Sequence, residues 1–369
     1  GIAIAYAMAL AEDETLQRPP LELLFTVDEE TGLNGVKNLT SDMIRGRILI
    51  NLDSEDEGIF TVGCAGGEDT RITLPLQTAA LPDRWPVQRI ILGGLKGGHS
   101  GVDIHKHRAN ANKLMARVLT ALHQHAECRL IDMQGGTRHN AIPRDAEALV
   151  AWQPPEPHNL QQVIDQMAAV FRQEYAAVEP SLSVTTAAAP AGTVSTGLDL
   201  DSTERAIWLL LALPHGVAGM SSELDGLVET SNNLAKVQLR KDQLCIHTSQ
   251  RSARTSRLAE MTASIHAVAD LAGASVNDEN AYPPWPPDMR APLLEKSKQV
   301  YHRMFGTAPV VQVIHAGLEC AIIGDRFPGM QMISFGPTIE NPHSPSERLN
   351  IASVARVWRF LTKLLAELK

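Results

Sequence analysis

Missing from this sequence is any block of basic residues: its 33 Lys and Arg are spread along 369 positions and outnumbered by 42 Asp and Glu, for a formal net charge of −9. Without a positive stripe there is no electrostatic footprint for nucleic acid. Basic anchoring to a membrane surface is equally unsupported. Missing too is an apolar run of membrane-spanning length, so no membrane partner is expected. The four cysteines, Cys64, Cys128, Cys245 and Cys320, lie far apart, with no spacing of a zinc knuckle or a redox pair. A reducing cytosol suits them, and a cytoplasmic location is expected. No basic flank precedes the opening apolar stretch from Gly1 to Ala11, which argues against a secretory signal. No internal repeat at a solenoid period is visible. The chain starts at Gly1 directly on an alanine-rich helical pattern, and an N-terminally truncated sequence is expected.

What is present is an ordinary soluble globular composition, 44% apolar and 20% charged. The length exceeds what one typical core fills, so two domains are expected. Pro20 introduces the apolar run Leu21 to Val27, of strand length, which ends on Asp28, Glu29 and Glu30. A buried strand with polar chemistry at its C-terminal end is the natural reading. The run Arg47 to Leu52 repeats the design and ends at Asp53. Two parallel strands would place these acids along one sheet edge, where ligand crevices of open α/β sheets lie. Two solvated loops are the alternative.

Further along, a strand is predicted over 89–94, followed by the glycine-rich segment Lys96-Gly97-Gly98-His99-Ser100-Gly101. Helices fit 108–127 and 160–178, and strands fit 128–134 and 146–152, an α+β alternation. The stretch from Thr185 to Thr196 reads as an irregular connection. Helices fit 203–213 and 254–271, with strands at 234–239 and 244–248. The proline-rich 282–287 marks a boundary. A helix over 292–305, strands over 310–314 and 330–335 and a closing helix over 351–368 return the α/β texture. The outer segments read as one domain split by an insertion: 1–66 and 284–369 around 67–283.

Three places carry chemistry. In Thr26-Val27-Asp28-Glu29-Glu30-Thr31-Gly32, adjacent carboxylates can divide labour, one binding a cation while the other accepts a proton from water. A surface acid pair is the bland alternative. Asn51-Leu52-Asp53-Ser54-Glu55-Asp56-Glu57 supplies a ligand in Asp53, and such crowded acids repel one another unless cations neutralise them. In Pro342-His343-Ser344-Pro345 a histidine between two prolines has little local freedom, which suits a ligand nitrogen or simply a turn.

These segments, in this order, resemble the M20 metallopeptidases. The bacterial cytosolic nonspecific (aminoacyl-histidine) dipeptidase group is resembled through longer stretches: Gly63-Cys64-Ala65-Gly66-Gly67, Gly94 to Gly101, Gly135 to Pro143, and Ile314-His315-Ala316-Gly317-Leu318-Glu319-Cys320. The resemblance implies an α/β fold: a zinc-peptidase-like catalytic domain with a central mixed sheet and helices on both faces, interrupted by an α+β lid domain. It further implies two zinc ions, with Co²⁺ or Mn²⁺ as possible substitutes. Glu29 becomes the general base, Glu30 and His343 ligands of one metal, and Asp53 a ligand of the other. His99 becomes the lid histidine that steadies the oxyanion. Asn140 and Arg251 become the residues that orient substrate and hold its terminal carboxylate, with Gly317 and Glu319 lining the pocket. A dipeptide substrate and a homodimer follow from the same resemblance. The family's His-X-Asp motif and its bridging aspartate have no counterpart here, which would leave one metal with Asp53 alone and the other with Glu30 and His343. Two alternatives stay open: a deacylase of N-acyl amino acids on the same fold, and a non-catalytic peptide-binding relative.

Overall fold

In a computed structural model that describes residues 1–29, 33–153, 160–189, 194–342 and 344–369, the chain divides into two compact units. The first comprises residues 1–66 and 282–369, the second 67–281.

The first unit is built on a four-stranded mixed sheet in the order Ile48–Asn51, Gln331–Ser334, Ile59–Cys64, Val310–Ile314. Both outer pairs are parallel, and the central pair meets antiparallel at Ser334 and Thr61. Its helices are Ile2–Glu12, Pro292–Phe305, Glu319–Arg326 and Ile351–Glu367. Two of these have readable ends. Pro292 occupies the first turn of its helix, where no amide donor is needed, and Gly306 closes it in the left-handed conformation at φ 74°. The last helix is N-capped by Asn350, whose side chain accepts from the Ser353 amide. It buries Val357, Phe360, Leu361, Leu364 and Leu365, a single stripe at helical spacing. Phe360 packs on Phe60, Tyr301 and Phe335 with ring centroids 4.9–5.4 Å apart. Truncating a ring in such a cluster costs about 3–5 kcal/mol.

The predicted strand over Leu21–Val27 does not form. This segment joins no sheet, and Leu23, Leu24, Phe25 and Val27 are exposed, Val27 by 72%. A strand requires a neighbour for its amides and carbonyls, and none among the described strands lies beside it. Glu22 instead reaches across to accept from the amides of Arg45 and Gly46.

The second unit is organised on a nine-stranded sheet. Its order is Ser183–Ala188, Val87–Gly93, Ala146–Trp152, Cys128–Gly135, Val228–Arg240, Gln243–Ser252, Gly66–Pro75, Ser275–Tyr282, with Gly216–Met220 also paired to Val228–Arg240. Helices Ala111–His125, Leu160–Glu174, Leu200–Ala212 and Thr255–Leu271 share one apolar core with it. Asn110 caps the first of these helices by accepting from the amides of Asn112 and Lys113, which fixes where the helix leaves the glycine-rich turn. Trp152 is fully buried, and its indole N–H donates to Leu122 O at 3.2 Å. The stretch predicted as an irregular connection over Thr185–Thr196 is partly regular: the edge strand runs on to Ala188, and Thr196 begins a short strand to Leu198. Thr185 and Thr186 are β-branched and find partners in Ile91 and Ile90, which overrides the loop-like composition. Among the described residues no helix is long and apolar enough to cross a membrane.

Candidate functional site

In the first unit the chemistry gathers where strands end. Ile48–Asn51 delivers Asp53 two residues beyond its C-terminal end. The Asn51 side-chain oxygen accepts from the Asp53 amide at 2.9 Å and from the Ser334 hydroxyl at 2.8 Å. Ser334 ends the adjacent parallel strand, and its hydroxyl lies 2.8 Å from that of Ser54. Asp53 therefore leaves the sheet on a turn fastened from both sides. The neighbouring chain must come close here: a Cβ on Gly336 would lie 1.8 Å from Ser54 O, so glycine is required.

The strand Val310–Ile314 leads to Glu319, which opens the helix to Arg326. Its Oε2 accepts from the Thr26 hydroxyl at 2.8 Å, tying it to the segment that carries Glu29. Its Oε1 is buried with no hydrogen-bond partner among the described residues. Burial pushes the Glu319 carboxyl above the ordinary range; the Thr26 hydrogen bond opposes this, and the charge of Asp53 adds to it. Beside it, Cys320 is wholly buried, and burial together with Cys64 and Glu319 keeps its thiol protonated. Gly317 runs against the ring of Tyr282, 2.8 Å from where a Cβ would stand. Glu29 is half-buried, next to Asp28, which holds a left-handed backbone at φ 57° steadied by a 2.6 Å bond from Asn34 Nδ2 to its carboxylate. Glu30 and His343, the other two expected ligands, lie outside the described residues.

This donor set fits divalent cations. An orphaned buried carboxylate oxygen and two mutually repelling acids, Glu319 and Asp53, are the condition that a positive ion relieves.

In the second unit His99 and Asn140 come together. Gly98–His99 pairs with Ala141–Ile142, His99 opposite Ala141, and the Ser100 amide donates to Asn140 O at 2.9 Å. Asn233 fastens this turn to the main sheet by donating to Ala141 O at 2.8 Å. The amides of Gly101 and Val102 donate to His99 Nδ1 at 3.2 and 3.1 Å. Nδ1 is thus the acceptor, and the neutral ring carries its proton on Nε2. Arg251 is 8% exposed and lies in the Gln243–Ser252 strand opposite Ser231.

Thr26, Asn51 and Ser334 do the holding, and none of them is marked as a site residue by a motif. Asn51-Leu52-Asp53 carried a signal, since an Asn two residues before an acid is the pattern of an Asx turn. Thr26 gave none, because its partner is 293 residues away.

Residues 90–179 match the family model of the M20 peptidase dimerisation domain. The whole chain aligns with the cytosol non-specific dipeptidase of Escherichia coli K12, 38% identical over 368 residues and spanning 76% of that protein. Among solved structures, aminoacylhistidine dipeptidase from Vibrio alginolyticus superposes with a TM-score of 0.90 at 36% identity, covering 99% of this chain and 74% of that one. Aminopeptidase PepT from Bacillus cereus shares the fold at 14% identity, with a TM-score of 0.50 over 99% of this chain and 70% of its own. Fold and relatives together define a peptidase of mixed α/β architecture with an inserted module of the dimerisation-domain type. The chain belongs to the M20 family of peptidases.

Proposed function

We propose that this protein hydrolyses dipeptides, with broad side-chain tolerance that extends to Xaa-His substrates such as β-alanyl-histidine. The observation that supports it most is that the Thr26 hydroxyl, three residues before Glu29, donates to Glu319, whose carboxyl also feels the charge of Asp53, in a chain whose 38% identical relative is named a cytosol non-specific dipeptidase.

Glu30, Asp53 and His343 would hold two divalent ions, zinc by their donor chemistry, and those ions would supply Lewis acidity toward the scissile carbonyl and water. Glu29 accepts the proton of the attacking water and returns it to the departing amine, so the balance is one water consumed and one amine and one carboxylate formed. His99, with its proton on Nε2, donates to the developing oxyanion. Asn140 orients the substrate, and the Arg251 guanidinium holds its terminal carboxylate. Gly317 and Glu319 line the pocket. Residues 67–283 act as a substrate-binding lid, the protein works as a homodimer, and its place is the cytoplasm.

The test is a panel assay on the purified protein with zinc: dipeptides, Xaa-His dipeptides and N-acetylated amino acids. Turnover of dipeptides that falls about 10²–10⁴-fold in Glu29→Gln is expected. Cleavage of the acetylated amino acids without dipeptides would make the protein a deacylase, and peptide binding without turnover would make it a binding relative.

A further inference from the structure

Within the second unit, the strands Gln243–Ser252, Gly66–Pro75 and Ser275–Tyr282 lie side by side. Alternate side chains of a strand share a face, and one from each of these three, His247, Asp69 and Glu279, converge. Their ligand atoms lie within 4.8 Å of one another. His247 Nε2 stands 3.6 Å from Asp69 Oδ2 and 3.8 Å from Glu279 Oε1. Both separations exceed a hydrogen bond, and this buried nitrogen has no hydrogen-bond partner among the described residues. A buried polar atom left unsatisfied costs about 1–3 kcal/mol, so its presence calls for an explanation.

A tetrahedral ion supplies one. With bonds of about 2.0–2.2 Å to nitrogen and oxygen, neighbouring donors around zinc stand about 3.4 Å apart. The His247 nitrogen needs to approach the two oxygens by only a few tenths of an ångström to meet that geometry. The carboxylate is ready for a cation. Asp69 has a side chain only 4% exposed. His139 Nδ1, at 3.0 Å, and Asn280 Nδ2, at 2.9 Å, both meet Asp69 Oδ2 and fix its direction, as outer partners of metal ligands do. His139 also lies nearly parallel to His247, ring centroids 6.0 Å apart. One contact competes: Arg71 Nε donates to Glu279 Oε1 at 2.6 Å. Arg71 is 61% exposed and can turn to water when an ion takes its place.

We propose that Asp69, His247 and Glu279 form a divalent-cation site, of the zinc class by its nitrogen and oxygen donors, separate from the strand-end acids of the first unit. It joins the two strands by which the chain enters and leaves the second unit, at 66–75 and 275–282, to the hairpin strand beside them. The ion ties the second unit's ends together and stabilises it by mass action. The inference does not rest on the peptidase reading, because none of its ligands takes part in the proposed hydrolysis.

The test uses the full chain, stripped by chelator and titrated with Zn²⁺ alone by calorimetry and equilibrium dialysis, with Co²⁺ absorption as a spectroscopic check. Wild type is compared with His247→Gln, Glu279→Gln and Asp53→Asn. We expect a zinc equivalent that survives Asp53→Asn and is lost or weakened at least about 10–100-fold in the other two variants. Zinc should raise the melting temperature of wild type and Asp53→Asn more than that of His247→Gln. Equal melting temperatures without metal for wild type and Glu279→Gln establish that this variant folds. Zinc stoichiometry and affinity unchanged in both His247→Gln and Glu279→Gln, or no zinc taken up by Asp53→Asn, would overturn the assignment.

Discussion

Asp53 and Glu319 show how few atoms the chemistry depends on. Burial raises the Glu319 carboxyl above the ordinary carboxylate range, opposed by Thr26 and aided by Asp53. The folded chain therefore holds this proton more tightly than the unfolded one. In the absence of metal, stability must fall as pH rises from the ordinary range through the raised one. Glu319→Gln removes that loss: in chelator the variant should gain on wild type with rising pH and coincide with it at the acid end, read as melting temperature against pH. A wild type that gains instead would mean the anion is the stabilised form. At His99 the backbone donors on Nδ1 assign the tautomer. His99→Ala should lower kcat about 10²–10³-fold with KM little changed, and a loss confined to KM would place the ring in ground-state binding.

Glycines and caps hold the elements in place, and two substitutions test this. Gly336→Ala drives a Cβ into Ser54 O and should cost about 1–3 kcal/mol in urea unfolding, with weakened metal affinity because Asp53 hangs from the same turn. Lys113 donates to Leu210 O, Leu211 O and Leu213 O at 2.6–3.0 Å, closing the helix Leu200–Ala212, and burial pushes its ammonium down to about 8. Lys113→Met should lose about 1.5–3 kcal/mol, measured the same way. The sequence exposed much of this architecture, for physical reasons that differ by element. The helix at 292–305 was legible because Pro292 and Gly306 mark its ends, and the one at 351–367 because its apolar stripe keeps helical spacing. The strand Ala146–Trp152 was legible as an apolar run between polar turns. Leu21–Val27 has the same texture without a neighbour to pair with, and composition carries no information on partners. Of the site, acids at strand ends could be seen, and Asp53 does stand at one. The grouping of Asp69, His247 and Glu279 could not, since sheet order alone brings together residues so far apart in sequence.

The whole molecule joins a mixed-sheet unit that carries the acids to an inserted unit that carries His99, Asn140 and Arg251. Residues 90–179 match a dimerisation domain, so sedimentation velocity should report twice the mass of one chain, and a monomer at micromolar concentration would count against the homodimer. For this chemistry, donors from distant parts of the chain must share divalent ions. Crystals grown with zinc and measured at its absorption edge decide this. Anomalous peaks about 2.0–2.2 Å from the Asp53 carboxylate and from Glu30 and His343 are the predicted result, with Glu29 close by and unligated. Zinc bound elsewhere while Glu30, Asp53 and His343 face separate solvent would contradict it.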